Sequence, residues 1–126
     1  MSTAVRTIRD FRDLDVWRKA MDLAAACYKV GEQLPRSETY GLRSQLQRAA
    51  VSVPANIAEG SGRLAPRDYI RHLAIANGSL LELTTHLELT KRLALVDRRR
   101  ADEALALAGD VGRMLRRLMK VLSAKV

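Results

Sequence analysis

Six polar side chains recur along one stretch of the chain: Gln45, Arg48, Ser52, Asn56, Glu59 and Arg63. On a helix turning about 100° per residue they share an arc of roughly 80°. Leu42, Leu46, Ala49, Val53 and Ile57 lie beside that arc, and Val51, Ala55 and Ala58 lie on its other flank. A solvated face should sit opposite the core, whereas this stripe sits between two apolar sets. Its placement points to a buried or half-buried hydrogen-bond network at an interface between helices or subunits. Arg48 and Glu59 stand about 16 Å apart along the helix, too far to pair. Each needs another partner, because an unpaired buried charge is strongly destabilising. Ser52 and Asn56 would serve as hydrogen-bonding intermediates that fix register or docking. The alternative reading of the stripe is a small polar pocket at the mouth of a channel or groove.

A second group is cationic. Arg113, Arg116, Arg117 and Lys120 fall within about 100° of arc on a helix face turned away from its leucines. Arg98 and Arg99 share that face but have Asp102 and Glu103 four residues on. The distal cluster has only Asp110 nearby, so it is the most net-positive surface in the sequence. Arg63, Arg67 and Arg71 follow one another at helical spacing and could extend the same path. Such groups contact phosphates without reading sequence. They equally complement a helix dipole or solubilise an exposed face. Trp17 and Tyr28 fall on an expected core seam and Tyr69 on another, which leaves little for bases to stack on. Binding should therefore rest on backbone and shape.

Chemistry of other kinds finds little support. His72 and His86 flank Glu82, and Glu82 with His86 reads as a surface pair. No ordered Ser/His/Asp set, glycine-rich phosphate loop or pair of catalytic carboxylates occurs at supporting spacings. The only enzyme-like cluster would be Arg48, Asn56 and Glu59. The expectation is no catalytic site, no cofactor and no metal. Cys27, the single cysteine, reads as a small hydrophobe that cannot form an internal disulfide. With no signal-peptide core in the first residues and no apolar run of the roughly 18 residues a bilayer requires, the expected location is cytoplasmic.

These side chains need elements to hold them. The 126 residues suit one domain, and a composition 48% hydrophobic but 4% aromatic calls for a core of Leu, Ala and Val in close-packed helices. A formal charge of +8 draws such a chain towards nucleic acid or other anionic partners. Residues 1–13 read as a flexible arm and residues 14–126 as the bundle. The first helix runs from about Leu14 to Leu34, with Leu14, Trp17, Met21, Ala24, Tyr28 and Gly31 as its inner seam. Ser37 is the expected N-cap of a second helix from Glu38 to Gly60, kinked at Pro54 and closed by left-handed glycines in Gly60-Ser61-Gly62. Pro66 opens the third, whose seam is Tyr69, Leu73, Ala76, Leu80, Leu83, Leu87, Thr90 and Ala94. Gly78 within it should admit a neighbouring backbone. Asp97 caps the fourth, with Ala101, Leu105, Ala108, Gly112, Leu115, Leu118 or Met119, and Leu122 facing inward. Short loops make an antiparallel up-down-up-down four-helix bundle the economical topology. Val51, Ala55 and Ala58 would then remain uncovered, which calls for self-association.

The block from Arg48 to Gly60, Arg-Ala-Ala-Val-Ser-Val-Pro-Ala-Asn-Ile-Ala-Glu-Gly, resembles the signature of the four-helix-bundle proteins encoded in intervening sequences of bacterial 23S rRNA genes. Leu14, Trp17, Tyr28, Pro35, Glu38, Gly41-Leu42 and Gln45 match in order before it. Arg63, Ala76, Gly78-Ser79-Leu80 and Glu82-Leu83 match after it. The resemblance spans roughly Phe11 to Leu93, and the fourth helix matches only as generic amphipathic sequence. It implies a small helical bundle, a homo-oligomeric ring such as a pentamer, and no known enzymatic activity. It favours structured RNA over DNA as the partner of the basic surface. Helical-bundle rings of similar shape serve as accessory subunits of reverse transcriptases, so a protein partner, with the charge only solubilising, is the competing implication.

Overall fold

In a computed structural model, which describes residues 8–126, the described residues form four α-helices and no strand. The helices are α1 (Asp15–Gln33), α2 (Leu42–Ser61), α3 (Pro66–Arg92) and α4 (Arg98–Ser123). Each packs on two neighbours: α1 on α2 and α4, and α3 on α2 and α4. The core between them is aliphatic. Leu23, Leu46, Ile57, Leu73, Leu83, Leu87 and Leu115 are its largest fully buried side chains, and none of its buried members is aromatic. Each such leucine contributes about 1.5–3 kcal/mol relative to exposure.

The flexible arm expected over residues 1–13 lies, through residue 7, outside the described residues. From Arg9 the backbone is tied down. The Arg9 amide donates to the Asp13 carboxylate at 2.8 Å, and chiefly this bond holds the Asp13 carboxyl below its ordinary range. Phe11–Asp13 form a 3-10 turn capped by Asp10, and the Phe11 ring meets Trp17 edge-on with centroids 5.1 Å apart.

In α1 the buried stripe is Val16, Ala20, Leu23, Cys27 and Val30. Of the expected seam Gly31 is buried, Leu14, Trp17 and Ala24 pack on the edge of the core, and Met21 and Tyr28 are exposed. Two apolar stripes run side by side on this helix, about 100° apart. The inner one carries only aliphatic side chains and a thiol, which a close-packed core accepts without a polar atom to satisfy. Tyr28 carries a hydroxyl that water can serve, and it stays 41% exposed.

The start of α2 also differs from expectation. Pro35 is followed by a 3-10 turn at Arg36–Glu38, and the helix begins only at Leu42. Ser37 does not cap it; the Glu38 carboxylate does, accepting the Leu42 amide at 3.1 Å. The helix then runs through Pro54, whose ring lies on the buried face with Ala50 and Val53. At its other end no glycine takes a positive φ, and Gly62 caps the helix at φ −84°. Gly60 serves close approach instead: a Cβ there would lie 2.8 Å from the His72 Cβ and 3.2 Å from the Tyr69 carbonyl oxygen.

The third helix follows its pattern closely. Pro66 is its first residue, and Leu73, Ala76, Leu80, Leu83, Leu87 and Thr90 are buried in register. Gly78, however, faces open space and admits no neighbour; the close contact with α4 is at Gly112, packed on Leu80. The helix stops in a Schellman turn in which the Leu95 amide donates to the Thr90 carbonyl and the Ala94 amide to that of Lys91. Ala94 therefore takes φ 53° and lies outside the core it was expected to join. The Asp97 side chain caps α4 by accepting the Arg99 amide at 3.0 Å.

Candidate functional site

The polar stripe of α2 divides into two parts. Ser52 and Asn56, both half-buried, face α3 and form a closed network with it. Asn56 Nδ2 donates to the Ser52 carbonyl at 2.9 Å and to Ser52 Oγ at 3.1 Å. Ser79 Oγ donates to Ser52 Oγ at 2.8 Å. Asn56 Oδ1 is then left to accept from His72 Nδ1, 3.3 Å away. His72 Nε2 stands 3.3 Å from Glu59 Oε2 and 3.4 Å from an Arg71 guanidinium nitrogen. The neutral ring accepts from Arg71; a protonated ring would donate to Glu59. Glu59 also meets Arg63 at 3.4 Å. The network thus uses its own donors and acceptors.

In the sequence His72 and His86 flank Glu82, and only Glu82 with His86 reads as a surface pair, with His72 given no partner. In the structure His72 is 4% exposed and bonded to α2, while His86 lies near Glu82, at 3.6 Å. His72 and Ser79 are the members that the stripe on α2 does not reveal. Their signal is position: each immediately precedes a seam residue, Leu73 or Leu80, and so flanks the seam towards one neighbour.

Gln45 and Arg48, the other part of the stripe, are exposed. Arg48 takes part in none of the hydrogen bonds or ion pairs found among the described residues. With Tyr28, Tyr40, Arg43, Gln47 and Val51 it lines an open groove of about 830 Å³ between α1 and α2.

The cationic residues of α4 are all on the outside. Arg113 pairs with Asp110. Arg116, Arg117 and Lys120 take part in no ion pair among the described residues. Arg116 folds back over Gly112 and reaches the shallow α3–α4 groove, which Asn77 and Thr84 also line. Arg67 borders the last turn of α4, against Ser123 and Val126. The structure therefore brings Arg67 to the α4 end of the cationic face, while Arg63 is held on the α2–α3 side by Glu59.

Burial pushes the Cys27 thiol up to about 12, which leaves it protonated and unreactive at neutral pH. Burial likewise raises the Tyr69 hydroxyl. Among the described residues no three His, Cys, Asp or Glu side chains gather where they could hold a metal ion. No helix of the described residues is long and apolar enough to cross a membrane.

An aliphatic core of four helices beneath a strongly basic surface defines a small all-α protein with a polar seam and an uncommitted cationic face. The chain belongs to the 23S rRNA-intervening sequence protein family, whose model matches residues 12–117. Its fold is similar to a crystal structure of a protein of unknown function from the S23 ribosomal protein family of Bacteroides thetaiotaomicron VPI-5482. That likeness has a TM-score of 0.77 at 23% identity and covers 83% of this chain and 98% of the other. No match was found among curated proteins.

Proposed function

We propose that the protein is a non-enzymatic, homo-oligomeric scaffold that associates with structured RNA through its basic face. One observation carries the reading: Arg116, Arg117 and Lys120 project from a single helix face with no acidic partner among the described residues. Phosphates are the ligands such a surface meets at no steric cost. Family membership favours RNA over DNA.

The helices form an antiparallel up-down-up-down bundle. Support comes from Ser79 bonding Ser52 while His72 bonds Asn56, and from Lys91 meeting Asp102 at 2.7 Å while Leu80 meets Gly112. The bundle assembles into a ring such as a pentamer, with Val51, Ala55 and Ala58 of α2 covered by the neighbouring copy; Val51 is 48% exposed in the single chain. A ring repeats the cationic face, so weak contacts add by avidity. The cytoplasm suits a chain whose lone cysteine is a core residue.

The test is binding of the purified protein to a structured RNA hairpin and a matched DNA duplex, titrated across salt. Reversing Arg116, Arg117 and Lys120 to Glu together should weaken hairpin binding by at least about ten-fold and flatten its salt dependence. Unchanged RNA binding in that variant would transfer the reading to a protein partner, with the charge only solubilising.

A further inference from the structure

The groove between α1 and α2 is unlike the rest of the surface. It holds two of the three tyrosines, and both face solvent: Tyr40 is 95% exposed and Tyr28 41%. Tyr40 so exposed gains almost nothing from the core, and two-fifths of Tyr28 is open to a ligand. Arg43 and Arg48 also line the groove, about 140° apart around α2 and thus on either side of it. Neither is paired with an acid among the described residues. Gln47 presents an amide from the same wall, and Val51 closes the end that abuts the face the neighbouring copy covers in the proposed ring. Among the described residues no carboxylate lines the groove.

We infer that this groove is a binding site for unpaired nucleotides of RNA, with Tyr28 and Tyr40 as stacking surfaces and Arg43 and Arg48 as phosphate contacts. Each base has a π-face that an exposed tyrosine can cover, and stacking of this kind tolerates any sequence. The guanidiniums supply the charge, and their position on both flanks suits a strand lying along the groove. The Gln47 amide offers a donor and an acceptor to a base edge. An apolar partner would leave both guanidiniums desolvated without compensation, which disfavours it. The inference deepens the RNA reading and rests on it for the class of ligand. It adds a second kind of contact: the α4 face meets phosphates of any RNA, whereas the groove selects strands whose bases are free.

The experiment compares a short unstructured RNA of CA repeats with a fully paired RNA duplex, using the full chain and fluorescence anisotropy. Tyr28→Ala and Tyr40→Ala should each weaken binding of the CA-repeat RNA by about ten-fold and leave duplex binding unchanged. Tyr40→Phe keeps the ring and should restore binding. The α4 triple reversal should weaken both RNAs while preserving the groove's preference for the unpaired one. Weakening of both RNAs together therefore reports on the α4 face, and weakening of the CA-repeat RNA alone reports on the groove. Equal binding of the CA-repeat RNA by Tyr40→Ala and the parent chain would overturn the inference. So would a change in assembly size in the tyrosine variants, which would make the groove a contact between copies. Binding of a polyglutamate peptide without binding of the CA-repeat RNA would also overturn it, in favour of an acidic protein.

Discussion

The two flanks of α2 carry similar side chains and treat them in opposite ways. On the flank towards α3, Ser52 and Asn56 are spent on His72 and Ser79. Gly60 lets the two backbones approach so closely that there is no room for a methyl group. On the flank towards α1, Arg48 is exposed and Arg43 half-buried, Tyr40 stands open to solvent just before the helix, and an open groove replaces the seam. The difference separates structure from function on one helix. Polar groups that satisfy each other specify packing, and polar groups left without partners are available to a ligand.

That contrast breaks most readily at Gly60. Replacing it with Val would place a branched side chain where a Cβ alone meets His72 at 2.8 Å. The obstacles are a Cβ and a main-chain carbonyl, which cannot swing aside like the end of a long side chain. Gly60→Val should cost about 3 kcal/mol, read as a lower denaturation midpoint with an unchanged m-value. A loss below about 0.5 kcal/mol, the scale of an ordinary surface change, would mean that the α2–α3 seam is looser than its hydrogen bonds indicate.

A smaller effect belongs to Asn56→Leu. Leucine has similar bulk but leaves His72 Nδ1 without its partner inside the seam and Ser52 bonded to Ser79 alone, and His72 is almost wholly enclosed. The expected loss is about 2 kcal/mol. Binding of the CA-repeat RNA should be unchanged, because the side chain is not in the groove. A stability loss without a binding loss sharpens the comparison; the reverse pattern would exchange the roles of the two flanks.

Much of this was legible in the sequence, for reasons that also explain the misses. The seam of α3 follows a strict heptad from Leu73 to Thr90, because that helix packs on two neighbours and each buried residue has only one apolar stripe to belong to. Pro66 and Asp97 announced two helix starts because their effects are local: a missing amide and a short acceptor. In α1 periodicity alone could not choose between two apolar stripes, and the choice fell to tertiary packing. That single rotation hid Tyr28 in an expected core and concealed the groove. The polar stripe on α2 was visible, but half of its partners belong to α3, where His72 and Ser79 show no motif of their own. At Gly60 and Gly78 the sequence marks a glycine without saying what stands opposite it. One meets a backbone and the other meets nothing.

Gly31 on α1 gives the mirror test of Gly60, and it predicts the opposite sign. A Cβ there would lie 2.9 Å from Gln47 Nε2 and 3.5 Å from the Arg43 Cγ. The first is the tip of a flexible side chain beside an open groove, and it can rotate into free volume. No backbone atom stands in the way among the nearest neighbours. Alanine also restricts the unfolded chain and favours the helix, by about 1 kcal/mol in a helix interior. Gly31→Ala should therefore gain about 0.5–1 kcal/mol, measured by chemical denaturation alongside the Gly60 variant. A gain at Gly31 with a loss at Gly60 would show that α2 is clamped on one side and merely lined on the other. A comparable loss at both would mean that the α1 flank is as tightly fitted as the α3 flank, and the groove would then have no slack in which a base could lie.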